Sequence, residues 1–305
     1  MTEGREVLLE DYEQEEELGE QELTEHEPTS ASEQPIVTAN DAMTLEEART
    51  LSGRRGARLV LLMGETGTGK TALAAMLWQR FLEADGLAGH RLAGSRTTLG
   101  FERRAHWARL DARQPEAHLP GTRAGDRAVL HLRVRRPDGG RVELLLSDLP
   151  GEQFERVREG RPLLVELPWA ARADRFVVVL DAEALSLPGA SEIAVTRAER
   201  LLLALRASNA VRDTARVALV LTKGDTVDAA GEQALARHEP VLLNVARELD
   251  SEATCIRTAA VPRFGADPQG LGDLISWLCG DDRPQTPMPG LEVPPPARSI
   301  AAFRA

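Results

Sequence analysis

The chain has 305 residues, with 37 Lys and Arg against 48 Asp and Glu, a formal net charge of −11 and 42% hydrophobic residues. Such a length suffices for one large core or two small ones. Two cysteines exclude a disulfide-built scaffold, six scattered histidines show no metal-ligand spacing, and no apolar run approaches eighteen residues, so the sequence reads as a soluble, cytoplasmic protein.

The acidity is local. Residues 1–40 hold thirteen Asp and Glu against Arg5 alone, which leaves the rest of the chain at +1. Residues 1–41 have too few large apolar side chains to offset the entropy of ordering them, and are expected to form a disordered acidic tail. Thr44-Leu45-Glu46-Glu47 has capping-box spacing and predicts a helix over 44–51. The apolar run 58–63 reads as a buried strand. It enters Gly64-Glu65-Thr66-Gly67-Thr68-Gly69-Lys70-Thr71, which fits G-x-x-x-x-G-K-[ST]. Leu73, Met76, Leu77 and Leu82 then predict a helix over 71–82.

Residues 87–127 give no clear element, a long excursion suited to mobile switch loops. Residues 128–136 and 141–147 flank Pro137-Asp138-Gly139-Gly140 and predict a β-hairpin. Strands at 175–181, 216–222 and 254–258 alternate with helices at 192–206 and 231–247. A helix over 270–279 closes the domain with Leu271, Leu274, Trp277 and Leu278 facing in. The pattern is α/β, a mostly parallel sheet with one antiparallel strand from the hairpin and helices on both faces. One folded domain is expected over 42–281, followed by a Pro-rich flexible tail over 282–305 that carries six prolines.

The Gly-rich turn is a phosphate cradle. Its glycines let backbone N–H groups converge on an anion, and the helix opening at Lys70 adds its positive end. Lys70 would reach the β- and γ-phosphates, and the Thr71 hydroxyl would ligate Mg²⁺. Lys70 and Lys223 are the only lysines of the chain, and both lie in nucleotide motifs. The hairpin's second strand ends in Asp148-Leu149-Pro150-Gly151, a D-x-x-G in which Asp148 would hold the cation through water and Gly151 would offer its N–H to the γ-phosphate. Strand 216–222 ends in Thr222-Lys223-Gly224-Asp225, fitting [NT]-K-x-D. A carboxylate only accepts hydrogen bonds, so Asp225 matches the adjacent N–H donors of guanine and would be unsatisfied against adenine. This selects GTP over ATP. Thr258-Ala259-Ala260 follows the last strand, where a small-residue loop would back the base.

In this order the motifs resemble the translation-factor-related (TRAFAC) class of P-loop GTPases over residues 55–281. The resemblance implies a P-loop GTPase fold, GTP and GDP as ligands, Mg²⁺ as cofactor, and a switch threonine just before the antiparallel strand. That nominates Thr122 as a third metal ligand beside Thr71 and Asp148, with Thr97 and Thr98 as second choices. Where Ras-like members carry a Gln that orients the attacking water, this chain has Glu152, and Gln153 comes one position later. A carboxylate there repels the γ-phosphate unless it acts as a base or is paired, and Arg123 and Arg156 are the candidate partners.

More narrowly, Gly94-Ser95-Arg96-Thr97-Thr98 with Phe101-Glu102, the Asp148–Phe154 stretch and Thr222–Asp225 resemble the bacterial double-GTPase family. Its members are associated with conflict and defence gene clusters, usually beside a second GTPase. The expected function is a Mg²⁺-dependent GTPase, slow or partner-stimulated, that acts as a conformational switch, with Lys70, Thr122, Gly151, Glu152 and Gln153 as its catalytic set. The alternative is a nucleotide-gated binding module with little hydrolysis. Expected partners are a protein effector or second GTPase, or a second copy of the chain; no membrane is expected, and the arginines of 91–141 are a poor nucleic-acid signal in a chain so rich in arginine. That region's net of +7 also makes it a surface on which the acidic tail would fold back, with salt screening the contact.

Overall fold

The computed structural model of the protein describes residues 36–37, 40–53, 57–83, 86–111, 128–261 and 267–280. The chain divides into Met1–Gln34 and Pro35–Ala305, and all described residues belong to the second unit. Most of the acidic tail, Thr122, Arg123 and the Pro-rich tail lie outside the described residues.

The strands are β1 (Ile36–Val37), β2 (Ala57–Met63), β3 (Arg91–Ser95), β4 (Ala128–Arg135), β5 (Arg141–Asp148), β6 (Arg175–Asp181), β7 (Arg216–Thr222) and β8 (Thr254–Arg257). The helices are α1 (Leu45–Ser52), α2 (Lys70–Glu83), α3 (Thr98–Asp111), α4 (Gly151–Arg158), α5 (Leu163–Glu166), α6 (Ala182–Ser186), α7 (Ser191–Ala207), α8 (Ala229–Arg247) and α9 (Leu271–Cys279). The strands form one sheet in the order β1-β3-β4-β5-β2-β6-β7-β8. Neighbours are parallel except around β4, which runs antiparallel to both β3 and β5. The hairpin thus supplies the single antiparallel strand among the described residues, its turn closed by the Arg136 N–H donating to the Gly140 carbonyl at 2.8 Å.

Because side chains alternate along a strand, a sheet covered on both faces needs apolar residues at every position. β2 meets that demand: Leu61 and Met63 join Phe176, Leu219 and the helix residues Phe154, Leu202 and Leu242 on one face. Val60 and Leu62 join Leu73, Leu77, Phe101 and Leu274 on the other. Helix α1 begins with the expected capping box, the Thr44 hydroxyl accepting from the Glu47 N–H and the Glu47 carboxylate from the Thr44 N–H. In α9 Leu271, Leu274 and Leu278 are buried together with Ile275, and Trp277 packs partly buried against the same core with the Arg175 guanidinium over its ring. Buried Arg58 and Arg175 donate to the carbonyls of Leu278 and Gly280, supplying cations where helix α9 leaves its last acceptors unpaired.

Residues 91–111 depart from the expectation of an unstructured excursion. They form β3, half-buried near the sheet edge, and the fourteen-residue helix α3. Helix α3 packs through Phe101, Ala105 and Ala108, and two alanines give little apolar periodicity to read. Among the described residues no helix is long and apolar enough to cross a membrane. Cys255 and Cys279 are free thiols, pushed up by burial to about 12 and about 11.

The β3–α3 turn is seated on His131 of β4. The ring Nδ1 of His131 accepts from the Arg96 N–H at 3.0 Å, which leaves Nε2 to donate to Glu143 at 3.0 Å. Burial pushes the imidazole below its ordinary value of 6.5, against the pull of Glu143. The folded state therefore prefers the neutral ring. This contribution to stability is complete above pH 6.5 and is lost as pH falls from 6.5 through the lower folded value. Urea unfolding should show stability declining below pH 6.5, with a shallower decline in His131→Gln. That variant should itself lose about 1–2 kcal/mol at pH 7.5 through its altered hydrogen bonds.

Candidate functional site

Four segments converge at the carboxyl edge of the sheet. The loop 64–69 links β2 to α2, Leu149-Pro150 links β5 to α4, β7 ends in Thr222, and β8 is followed by Thr258. Hydrogen bonds tie them together. The Thr222 hydroxyl donates to the Thr68 carbonyl at 2.7 Å, joining the guanine motif to the phosphate loop. The Gly224 N–H donates to the Thr258 carbonyl at 3.0 Å, joining that motif to the loop after β8. Ala259 exchanges both backbone bonds with Gln269.

Lys70, at the first position of α2, is buried. Its ammonium donates to the carbonyls of Gly64 at 2.7 Å and Glu65 at 3.0 Å and lies 5.7 Å from the centre of the Phe154 ring. Burial pushes it down to about 8, offset in part by Asp148, Glu152, Glu155 and Glu65. Beside it, the Thr71 hydroxyl donates to one Asp148 oxygen at 3.0 Å, so the two nominated metal ligands stand together. Hydroxyl, carboxylate and phosphate oxygens are the hard donors that Mg²⁺ takes, and the pair fits that ion. Among the described residues no cluster of three His, Cys, Asp or Glu could hold a metal ion by itself.

The D-x-x-G glycine lies directly on the loop. A Cβ at Gly151 would run into the backbone of Thr66, so only glycine allows this approach. One turn along α4, Glu155 accepts from the Thr66 N–H at 3.2 Å, and the Thr66 hydroxyl and this N–H, with nearby Arg158 and Lys70, hold its carboxyl below the usual range. An N–H of the cradle is thus met by an anion of the chain itself. Glu152 is exposed, and Gln153 is buried with its side-chain oxygen unpartnered among the described residues. Arg156, nominated as a partner for Glu152, pairs with Glu166 at 2.9 Å instead, because α5 brings that carboxylate alongside α4. Glu65 lies against Arg158.

At the base end, Lys223 has a left-handed backbone, φ 56°, which turns the chain out of β7 into the short 3₁₀ helix Gly224–Thr226. Its ammonium pairs with Asp181 at 2.6 Å, and Asp225 is exposed. Of the alternative switch threonines, Thr97 is fully buried, its hydroxyl accepting from the His131 N–H, and Thr98 opens α3. An open cavity of about 370 Å³ lies beside the loop, toward α6 and α7. Sequence patterns missed Arg104 of α3, whose Nε donates to the second Asp148 oxygen at 2.7 Å, and Glu155. Neither belongs to a motif with fixed spacing.

The Double-GTPase 2 family model matches residues 58–278, most of the chain and every described segment of this site. The chain belongs to the Double-GTPase 2 family. Its α/β sheet with the phosphate loop between β2 and α2 is a P-loop GTPase fold. Solved structures similar to it include a bacterial selenocysteine-specific elongation factor, EF-Sec, at 16% identity over 72% of this chain and 28% of that one, with a TM-score of 0.40. Translation elongation factor SelB from Methanococcus maripaludis is similar in its apo form, at 15% identity over 74% of this chain and 34% of that one, TM-score 0.36. Its complex with the GTP analogue GppNHp gives 16% identity over the same shares, TM-score 0.37. The chain spans about a third or less of those proteins' length. No curated protein matches the chain.

Proposed function

We propose that this double-GTPase binds GTP with Mg²⁺, hydrolyses it slowly or under a partner's stimulation, and works as a conformational switch. The observation that carries this reading is the Thr222–Thr68 bond, which sets the guanine motif and the phosphate loop into one site. Lys70 would meet the β- and γ-phosphates, and Thr71 and Asp148 would hold the cation, with Thr122 as a further ligand. The bound Mg²⁺ supplies neutralisation of charge on the phosphates. Asp225 would select guanine, with Lys223, Thr258 and Ala259 around the base.

The packing of Gly151 supports the switch. Its Cα rests on Thr66, so any group that comes between them displaces α4, and loss of that group lets α4 return. The moving surface would act on a protein effector or a second GTPase, in the conflict or defence setting that the family resemblance implies, and in the cytoplasm that the sparse cysteines suggest. A second reading, a nucleotide-gated module with little turnover, is favoured by one observation: Glu152 is exposed and Gln153 is packed inside, so among the described residues no carboxamide is presented next to Gly151.

Titration calorimetry with GTP, GDP and ATP, followed by single-turnover hydrolysis with Mg²⁺, tests the proposal. GTP binding and cleavage with ATP ignored is the expected result. Tight GTP binding without cleavage supports the gated module, and preference for ATP overturns the reading of Asp225.

A further inference from the structure

The Asp148 side chain is 1% exposed, and a buried carboxylate is penalised unless its oxygens are met. One oxygen accepts from Thr71 and the other from Arg104 Nε at 2.7 Å. The guanidinium is itself held, because its Nη1 donates to the Gly100 carbonyl at 2.9 Å, one turn earlier in α3.

Helix α3 has little freedom to move this group. On one side Phe101 stacks on Trp78 of α2 with ring centres 5.1 Å apart, Trp78 Nε1 donates to Glu102 at 2.7 Å, and Ala75 packs with Ala105 and Ala108. On the other side residues 40–43 form a strap. The Gly100 N–H donates to the Asn40 carbonyl at 3.3 Å, Arg103 pairs with Asp41 at 3.0 Å, and Met43 bridges to Val129 of β4. A Cβ at Gly100 would run into the Asp41 carbonyl oxygen, so the strap lies as close as glycine permits.

We propose that Arg104 is a positioning residue for the cation of the nucleotide site, acting through Asp148. By taking one carboxylate oxygen it fixes the rotamer that turns the other toward Thr71, before any ligand arrives. The inference rests on the nucleotide reading above. With GTP bound, the charges of the triphosphate and Asp148 exceed those of Mg²⁺ and Lys70, so a further fixed cation remains favourable. Outer-shell partners that orient a metal-binding group are worth about 10–100-fold in metal affinity.

The test is retention of fluorescent mant-GTP by the full chain across a series of buffered free Mg²⁺ concentrations, for wild type, Arg104→Met and Arg104→Lys. Arg104→Met is expected to raise the Mg²⁺ concentration for half-maximal retention by about 10–100-fold, with affinity in EDTA unchanged. Arg104→Lys keeps the charge without the planar fork and should fall between. A midpoint that is unchanged or lowered in a variant that melts cooperatively overturns the inference. So does an equal loss in EDTA, which would make Arg104 a direct phosphate ligand or a purely structural residue. If Arg104→Met fails to fold, the midpoint of Arg104→Lys decides by the same criteria. Wild type that retains no mant-GTP at any Mg²⁺ concentration overturns the nucleotide reading, and the inference with it.

Discussion

Lys70→Met should weaken GTP binding by about 10²–10⁴ while the nucleotide-free protein melts within about 4 °C of the parent. The stem of Lys70 is buried beside Phe154, and methionine keeps most of that packing. Without a phosphate to meet it the ammonium is an expense to the fold: burial drives it down to about 8 even with four carboxylates nearby. Losing its bonds to Gly64 and Glu65 is offset by no longer burying a charge. With phosphates present the balance reverses, since removing one partner of a buried, hydrogen-bonded charge pair costs about 3–5 kcal/mol. Calorimetry gives the affinity, and melting curves with and without GTP show whether the ligand-induced rise disappears. Unchanged affinity would remove Lys70 from the phosphate site.

The parts of this site that the sequence displays are those whose chemistry demands contiguous residues. A phosphate cradle needs its glycines, lysine and threonine in one turn, so residues 64–71 announce both a strand before and a helix after, and β2 and α2 are found there. The same holds for Asp148 and Gly151 at the end of a hairpin strand, and for Thr222–Asp225 at the end of β7. Gly139-Gly140 marks the hairpin turn, from which the direction of β4 follows.

What escaped the sequence is held by contacts between distant segments. Arg104 meets Asp148 across 44 positions and sits among many other arginines, so nothing in its neighbourhood distinguishes it. Its helix packs on alanines, whose small size allows close approach to α2 but leaves no amphipathic stripe. Gln153 belongs to a motif stretch and Glu155 lies just beyond it, yet the face of α4 that turns inward is chosen by Phe154 and Val157 packing under β2 and β6. That choice exposes Glu152, buries Gln153 and aims Glu155 at Thr66. Arg156 likewise went to Glu166 because a short helix, too brief to read from periodicity, supplies that carboxylate.

Asp225→Ala should abolish the preference for guanine. The turn that presents Asp225 is braced by bonds from its neighbours: Gly224 bonds Thr258, Thr222 bonds Thr68, Lys223 pairs with Asp181, and the Thr226 hydroxyl donates to the Lys223 carbonyl. Asp225 itself is exposed, so its truncation should change folding stability by no more than about 0.5 kcal/mol. Hydrogen bonds to a charged group are each worth about 1.5–3 kcal/mol, and guanine offers two adjacent donors. GTP affinity should therefore fall by about 10²–10⁴, while the weak binding of ATP, which never used the carboxylate, stays where it was. Asp225→Asn adds a sharper outcome, because it presents one acceptor and one donor. It should favour xanthosine triphosphate, whose base carries a carbonyl where guanine carries its amino group. Competition of GTP, ATP and xanthosine triphosphate against a fluorescent GTP analogue reads all three at once. GTP affinity unchanged in Asp225→Ala would mean that another part of the chain reads the base.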